Sequence, residues 1–544
     1  MVSYACPTIY FLRAFFVLLT FLGFIPEGVP MRPFLLLIAL LLVPGAASAD
    51  SNFTRINAPG KYAVGLHIIE QYDFSRGYLG NADLYTGKPI RGERARPIQT
   101  LIWYPAQKGT GRAMSAGDYL RLGGTSDYFP HSAAERSRLE TGYVDLETGG
   151  LTPDRIKAEL SASMLARRDG TEHSGKYPVI IYAPSYQAPA FENADLCEYL
   201  ASQGYIVIAS PSTGPTPEGM KDTLEGVEAQ VGDIQFLIGY AHTLAQADTD
   251  HLAVMGYSWG GLANVMAAAK DTRIAALVSL DGSVRYYPDV VDQSRYLTPE
   301  RVSVPLLYIA ATPKQVEELT ADVNKDRSFL NKIKYADLYR VTLAPYVHAN
   351  FSVMLGQRFL SDGAYGNYNK DELSVANGWL ETYALRFLDG YLKGDATGRA
   401  FLDVPAAQTG APPHLLTVYK TKGQGQPATR AAFAEELGQK GFEQATTVYR
   451  AFQQRNPSFV LNDDDLISWG YQLLGNGNTE LATYIFRFNT EIHPESWNAF
   501  DSLGEAYAKN NKKQLAIDAY EMSLKLNPHN INAVGRLKAL GVSP

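Results

Sequence analysis

Cysteine is nearly absent from this chain. Its 544 residues hold two, Cys6 and Cys197. If the N-terminal segment is removed, Cys197 stands alone, no internal disulfide forms, and a packed core has to hold the fold. Basic tracts are missing as well, and the net charge is −7, which argues against nucleic acid as a partner. Long uninterrupted apolar runs are scarce. The stretch Tyr10–Phe24 contains Arg13, and its uncharged part, Ala14–Pro26, is shorter than the ~20 residues a membrane span needs. What remains is an ordinary globular composition, 46% hydrophobic and 19% charged, long enough for two domains or more. Tyrosine is plentiful at 34 residues, a side chain suited to lining grooves for organic ligands.

Residues 1–49 read as a signal or targeting region. Met31-Arg32 supplies a positive start, 34–43 an apolar core, and Ala47-Ser48-Ala49 a small-residue cleavage site before Asp50. Translation is therefore expected to begin at Met31 and the protein to be periplasmic or secreted; the alternative is an uncleaved anchor over 10–43. The residue directly after the cleavage site is Asp50 and not a cysteine, so a lipid anchor there is not supported. Asn52-Phe53-Thr54 matches a glycosylation acceptor.

From 50 to 395, apolar strand patterns alternate with helical ones, which predicts a largely parallel sheet. Strands are expected at 98–104, 177–182, 205–209, 252–255, 274–280 and 304–310, and helices at 193–203, 225–245 and 372–392. Residues 107–175 form a long polar insertion, helical over 153–168, that is either a lid or a surface excursion. Residues 396–428 shift to Gly, Pro, Ala, Gln and Thr and read as a linker with one ordered piece at 415–419.

Residues 429–544 carry an internal repeat. Gly470 recurs as Gly504, Ala482 as Ala516, Phe486 as Tyr520 and Pro494 as Pro528, all at one offset of 34 residues. A degenerate copy keeps Ala445, Tyr449 and Pro457 in the same mutual spacing, and a capping helix is expected near 532–540. Phe500, Leu503, Gly504 and Tyr507 fit the first helix of a tetratricopeptide repeat. Such arrays bind a protein partner or self-associate.

The chemistry centres on Gly256-Tyr257-Ser258-Trp259-Gly260, directly after the apolar run 252–255 and before a small-residue helix at 262–269. A sharp strand-to-helix turn exposes a serine hydroxyl, and the flanking glycines avoid a clash in that turn. Ser258 is the candidate nucleophile, and it needs a base and an orienting acid. Downstream histidines are His348, His414, His493 and His529. The last two lie in the repeats and His414 in the linker, which leaves His348, in a loop after the last strand pattern. The loop 311–317 offers no early aspartate. Asp281 ends the strand 274–280, where a carboxylate is costly without a partner; Asp289 and Asp292 are its rivals.

These segments resemble the platelet-activating-factor acetylhydrolase branch of the α/β-hydrolases, itself similar to dienelactone-hydrolase-like esterases. The likeness rests on 177–209, Gly256–Gly261, Leu280-Asp281 and Val347-His348-Ala349-Asn350-Phe351, with Trp103-Tyr104-Pro105 as an early strand end, and covers roughly 60–395. It implies an α/β-hydrolase fold, a Ser258–His348–Asp281 triad, and an oxyanion hole made by the backbone N–H groups of Trp259 and Tyr186. Where that branch often has His-Gly after the central strand, this chain has Ala183-Pro184-Ser185-Tyr186-Gln187. The bulk of Tyr186 and Trp259 favours short acyl groups.

The expectation is an exported serine hydrolase acting on a small-molecule or lipid carboxylic ester, with no metal or cofactor. Two alternatives stand beside it: a catalytically silent scaffold working through its repeats, and a peptidase or acyltransferase using the same triad.

Overall fold

A computed structural model describes residues 51–82, 86–311, 328–359, 367–425 and 427–543. The targeting region 1–49 and most of the loop after residue 311 lie outside the described residues. The described residues divide into two compact units. One holds the chain up to Lys332 together with Asp337–Thr421; the other holds Ile333–Ala336 and the chain from Lys422 onward.

The first unit is built on one sheet. Its strands are β1 (Ala63–Gly77), β2 (Ala95–Ala106), β3 (Arg112–Ser115), β4 (Ser163–Arg168), β5 (Tyr177–Ala183), β6 (Ile206–Ala209), β7 (Ala247–Tyr257), β8 (Ile274–Leu280), β9 (Leu306–Ala311), β10 (Leu338–Leu343) and β11 (Leu416–Thr421). Their spatial order is β11-β10-β9-β8-β7-β5-β6-β2-β1-β4-β3. Neighbours from β6 through β5, β7, β8 and β9 to β10 run parallel. Helices on both faces bury these strands, so β5 is buried at every position, the reason its sequence is a continuous apolar run.

Register decides where the site forms. Tyr257 at the end of β7 stands opposite Leu280 at the end of β8, and Leu280 stands opposite Ile309. The next residues, Ser258 and Asp281, therefore emerge side by side at the carboxyl edge. Ala183, which ends β5, lies opposite Gly256 on the other flank. The segment beginning at Ser185 thus leaves the sheet beside the elbow.

Several elements differ from the sequence-based expectation. The insertion 107–175 joins the sheet edge: β4 pairs parallel with β1, and β3 antiparallel with β4. The helix expected over 153–168 stops at Ser161, and β4 follows. The insertion also enters the core, where the Tyr119 hydroxyl accepts from Trp103 Nε1 at 2.7 Å and donates to Glu198 at 2.7 Å. Residues 396–421, read as linker, form a helix at Ala396–Asp403 and β11, which pairs antiparallel with β10. The Asn52 side chain is not presented to a glycosyl donor; Asn52 is buried and its Nδ2 donates to the Arg358 carbonyl at 3.1 Å.

The second unit is helical. Helices Asp463–Gly475 and Thr479–Ile492 pack as a pair, Trp497–Lys509 and Lys513–Leu526 as the next, and Ile531–Ala539 follows. Arg430–Lys440 and Ala445–Arg455 precede them. The repeated glycine has a steric cause. A Cβ on Gly470 would lie 2.3 Å from the Phe486 ring, and one on Gly504 would lie 2.8 Å from the Tyr520 ring. Each aromatic of a second helix thus occupies the space that a side chain on the first would fill.

Candidate active site

The elbow is sterically defined. Ser258 has φ +52°, in the left-handed region, a conformation that costs a non-glycine residue roughly 1–3 kcal/mol. A Cβ on Gly256 would sit 2.1 Å from the Gly260 carbonyl oxygen, and one on Gly260 would sit 2.0 Å from the Ala183 carbonyl oxygen. Any side chain at either position would force the turn open or push away the end of β5. The helix Gly260–Ala268 follows immediately, so the positive end of its dipole adjoins the serine.

Three expected residues meet there. His348 Nε2 lies 2.8 Å from Ser258 Oγ, and His348 Nδ1 lies 2.6 Å from Asp281 Oδ2. With the proton on Nδ1, the ring donates to the carboxylate and accepts from the serine hydroxyl. The His348 loop is fixed from below: the Tyr257 hydroxyl donates to the His348 carbonyl at 2.8 Å, and Val347 N–H donates to Asn350 Oδ1 at 2.8 Å. Asp289 and Asp292, the alternative acids, are exposed on the short helix Pro288–Gln293. Neither His414, His493 nor His529 bonds to Ser258 among the described residues.

Asp281 is fully buried, with φ +44°. Its carboxylate accepts from His348, from Arg285 Nη2 at 2.7 Å, from the Ala311 N–H at 3.2 Å and from the Tyr286 hydroxyl at 3.3 Å. Arg285 is itself buried, so the carboxylate is ionically paired in a dry setting, where such a pair is strong. Burial and then the nearby Asp281 push the Tyr286 hydroxyl up to about 12, so it stays a neutral donor near neutrality.

The segment after β5 approaches from the opposite side. Neither the Tyr186 N–H nor the Trp259 N–H donates to a protein acceptor among the described residues. The Tyr186 ring meets Trp259 edge-on at 5.9 Å, Trp259 meets Tyr287 at 5.1 Å, and the Tyr186 hydroxyl donates to the Met220 carbonyl. Gln187 has φ +53°. Of the five non-glycine residues with positive φ among the described residues, Gln187, Ser258 and Asp281 gather here, the concentration of strain expected at a working site. Beside this segment, Gln187, Pro189, Ser212 and Thr213 line a cavity of about 170 Å³ with Ser126 and Tyr143 of the insertion.

Sequence reasoning missed Arg285, Tyr286 and Glu192. Arg285 follows Asp281 by one helical turn, a spacing that signals a contact only once the acid is known to be buried. Glu192 gave no signal at all, since a lone glutamate before a helix reads as solvated.

Comparison with known proteins places the chain among similar hydrolases. The family model of X-Pro dipeptidyl-peptidases (S15 family) matches residues 155–356, a span that includes Ser258, Asp281 and His348. A Yersinia pestis protein carrying the name carboxymethylenebutenolidase is 28% identical over 123 residues, 21% of this chain; the match spans 46% of that relative, about half its length. A solved ferulic acid esterase from Streptomyces cinnamoneus aligns at 18% identity with a TM-score of 0.47, over 68% of this chain and 99% of that one. The sheet order and the elbow make the first unit an α/β-hydrolase fold.

Proposed function

We propose that this protein is a serine hydrolase that cleaves carboxylic esters through an acyl-enzyme. The observation that carries the reading is the continuous relay from Ser258 Oγ to His348 Nε2 at 2.8 Å, and from His348 Nδ1 to Asp281 Oδ2 at 2.6 Å. Ser258 attacks the ester carbonyl while His348 takes its proton. Asp281 keeps the ring oriented and balances the imidazolium charge. The oxyanion forms against the Trp259 and Tyr186 N–H groups, neither of which bonds to a protein acceptor among the described residues. His348 returns its proton to the leaving alkoxide, and a water deprotonated by the same ring then releases the acyl group. Labelling with a fluorophosphonate probe tests this directly. The wild type is expected to label and Ser258→Ala to stay unlabelled; a wild type that takes no label overturns the reading and leaves a scaffold.

The acyl group is short in this reading. The Tyr186 ring meets Trp259 edge-on and its hydroxyl donates to the Met220 carbonyl, and in this reading the ring so fixed limits the acyl side of the site. Rates on a chain-length series of nitrophenyl esters are expected to fall as the acyl chain grows; faster turnover of long chains refutes that limit.

One observation favours a second reading. The S15 family model covers the whole relay, and the same triad cleaves amides. Release of nitroaniline from an X-Pro nitroanilide, at a kcat/KM matching the best ester, would move the assignment from esterase to peptidase.

The helical unit is assigned as tetratricopeptide-like, on its 34-residue period and its glycine–aromatic pairs, with a protein partner or a second copy as its ligand. Export is assigned on the apolar segment 34–43 and the site Ala47-Ser48-Ala49. N-terminal sequencing of the exported protein is expected to begin at Asp50, and another start overturns it.

A further inference from the structure

Glu192 is a buried carboxyl that the mechanism above does not use. It is 2% exposed, and burying a carboxylate without a paired cation is costly. Its bonded donors among the described residues are neutral and come from β5 and the segment after it. Oε2 accepts from the Ser185 N–H at 2.8 Å and from the Tyr182 hydroxyl at 3.2 Å; Oε1 accepts from the Ser185 hydroxyl at 2.5 Å. Ser185 is thus gripped twice, by backbone and side chain, by one carboxylate.

The residue after Ser185 is Tyr186, whose N–H is the second oxyanion donor. Gln230 Nε2 holds the Pro184 carbonyl at 2.7 Å, and the Ser212 N–H holds the Ala188 carbonyl at 2.9 Å. Between these two anchors the chain passes through the positive φ of Gln187, so a fixed Ser185 leaves the Tyr186 peptide little freedom. The clamp itself is anchored to the His348 side of the site, because the Glu192 carbonyl accepts from the Met354 N–H at 3.1 Å.

Resting on the esterase reading, we propose that Glu192 is a positioning residue: its carboxylate clamps Ser185 and so aims the Tyr186 N–H at the oxyanion. An ionised carboxylate accepts all three bonds, whereas a protonated one gives up part of its acceptor capacity to its own O–H. Burial, set against the Ser185 and Tyr182 bonds, raises the Glu192 carboxyl to about 7. The titratable groups that face it are Tyr182 of β5, Tyr257 of β7, Tyr143 of the insertion, and His348. Burial holds the three tyrosines well above their ordinary value, so they stay neutral donors while Glu192 ionises.

Glu192→Gln tests the clamp with the shape kept. At about pH 8.5, kcat on nitrophenyl acetate is expected to fall about 10- to 100-fold with KM within about twofold, a partial loss of one oxyanion donor. The ratio of wild-type to variant kcat shrinks toward unity near pH 5.5, where the wild-type carboxyl is itself protonated. The melting temperature does not fall, because a buried charge has been removed. Ser185→Ala keeps the backbone bond and loses the hydroxyl one, and is expected to lose about three- to tenfold; it tests the same clamp from the other side should Glu192→Gln not fold. A variant with wild-type kcat at high pH overturns the proposal. So does an equal loss at both pH values with a lowered melting temperature, which marks a merely structural group. Fluorophosphonate labelling of the wild type separates the two readings. A labelled wild type with an unaffected Glu192→Gln overturns this inference alone; an unlabelled wild type overturns the esterase reading and this inference with it.

Discussion

The two units bury different things. The sheet unit buries charge: Asp281 with Arg285, Arg96 with Asp233 at 2.6 Å, Arg358 with Asp195 at 2.7 Å, and Glu192 with neutral donors. The helical unit buries aromatic rings, such as Phe433 against Phe452 and Phe488, and its buried carboxylate Asp501 is held by a side-chain amide, Asn530 donating to it at 2.9 Å. No buried cation–carboxylate pair occurs in the helical unit among the described residues. Buried charge costs stability and is kept where it works, whereas ring packing and satisfied amides set shape and repeat geometry. On the proposed function, the chemistry belongs to the sheet unit and partner recognition to the helical unit, and the expected outcomes that follow strike one unit while reading both.

The largest effect falls on the relay. Ser258→Ala is expected to reduce ester turnover by about 10⁴-fold or more and to leave the melting transitions in place, since it removes one hydroxyl from a strained turn. Loss of either transition would mean that the serine is structural. Asp281→Asn comes next, with about 10⁴-fold lower kcat. It is also expected to destabilise the sheet unit, because Arg285 keeps its buried charge and loses its carboxylate.

pH sharpens the contrast by its sign. Burial raises the carboxyls of Glu192, Glu198 and Glu381 to about 7 each. A carboxyl raised in the folded state holds its proton more tightly there than in the unfolded chain. Its contribution is full at acid pH and is lost as pH climbs from the unfolded value to about 7. The sheet unit is therefore expected to lose a few kcal/mol between about pH 5 and 8. In the helical unit, hydrogen bonds from Lys440 and then Arg455 lower the Glu436 carboxyl, so its small contribution runs the other way and is lost only as pH falls through its folded value. Urea unfolding at the two pH values checks this; a sheet unit that gains stability on going to pH 8 would break the comparison.

Gly504→Val strikes the other unit. The new Cβ meets the Tyr520 ring at 2.8 Å, and the overpacking is expected to cost about 1–3 kcal/mol of helical-unit stability while phosphonate labelling of Ser258 stays unchanged. Tyr286→Phe is the smallest. It removes the long contacts to Asp281, at 3.3 and 3.5 Å, and the 2.5 Å bond that the hydroxyl accepts from Arg285 Nη2, but leaves the bonds of Asp281 to His348, Arg285 and Ala311, so kcat is expected to fall by no more than about fivefold.

Much of this site was legible because its chemistry fixes its residue types. A serine on a tight turn requires Gly256 and Gly260; elimination among the downstream histidines leaves His348, and the end of an apolar strand favours Asp281 over its rivals Asp289 and Asp292. The central strands were legible for a similar reason, since a doubly covered strand such as β5 has to be apolar throughout. The edges were not. β3, β4 and β11 are short and mixed in character, and become strands only because a neighbour offers a free edge. The same holds for Glu192 and Arg285: local sequence marks both as surface charges, and only long-range packing buries them.

Local rules acting over a few residues were enough to bring forward Ser258, Asp281 and His348 as candidates, the parallel strands 177–182, 252–255, 274–280 and 304–310, and the 34-residue period. Tertiary structure alone decided that the insertion completes the sheet, that a buried arginine backs Asp281, and that Glu192 grips the segment carrying the Tyr186 N–H. The physical reason is desolvation: whether a charge is a solvent-facing decoration or a buried anchor depends on which distant segments remove it from water.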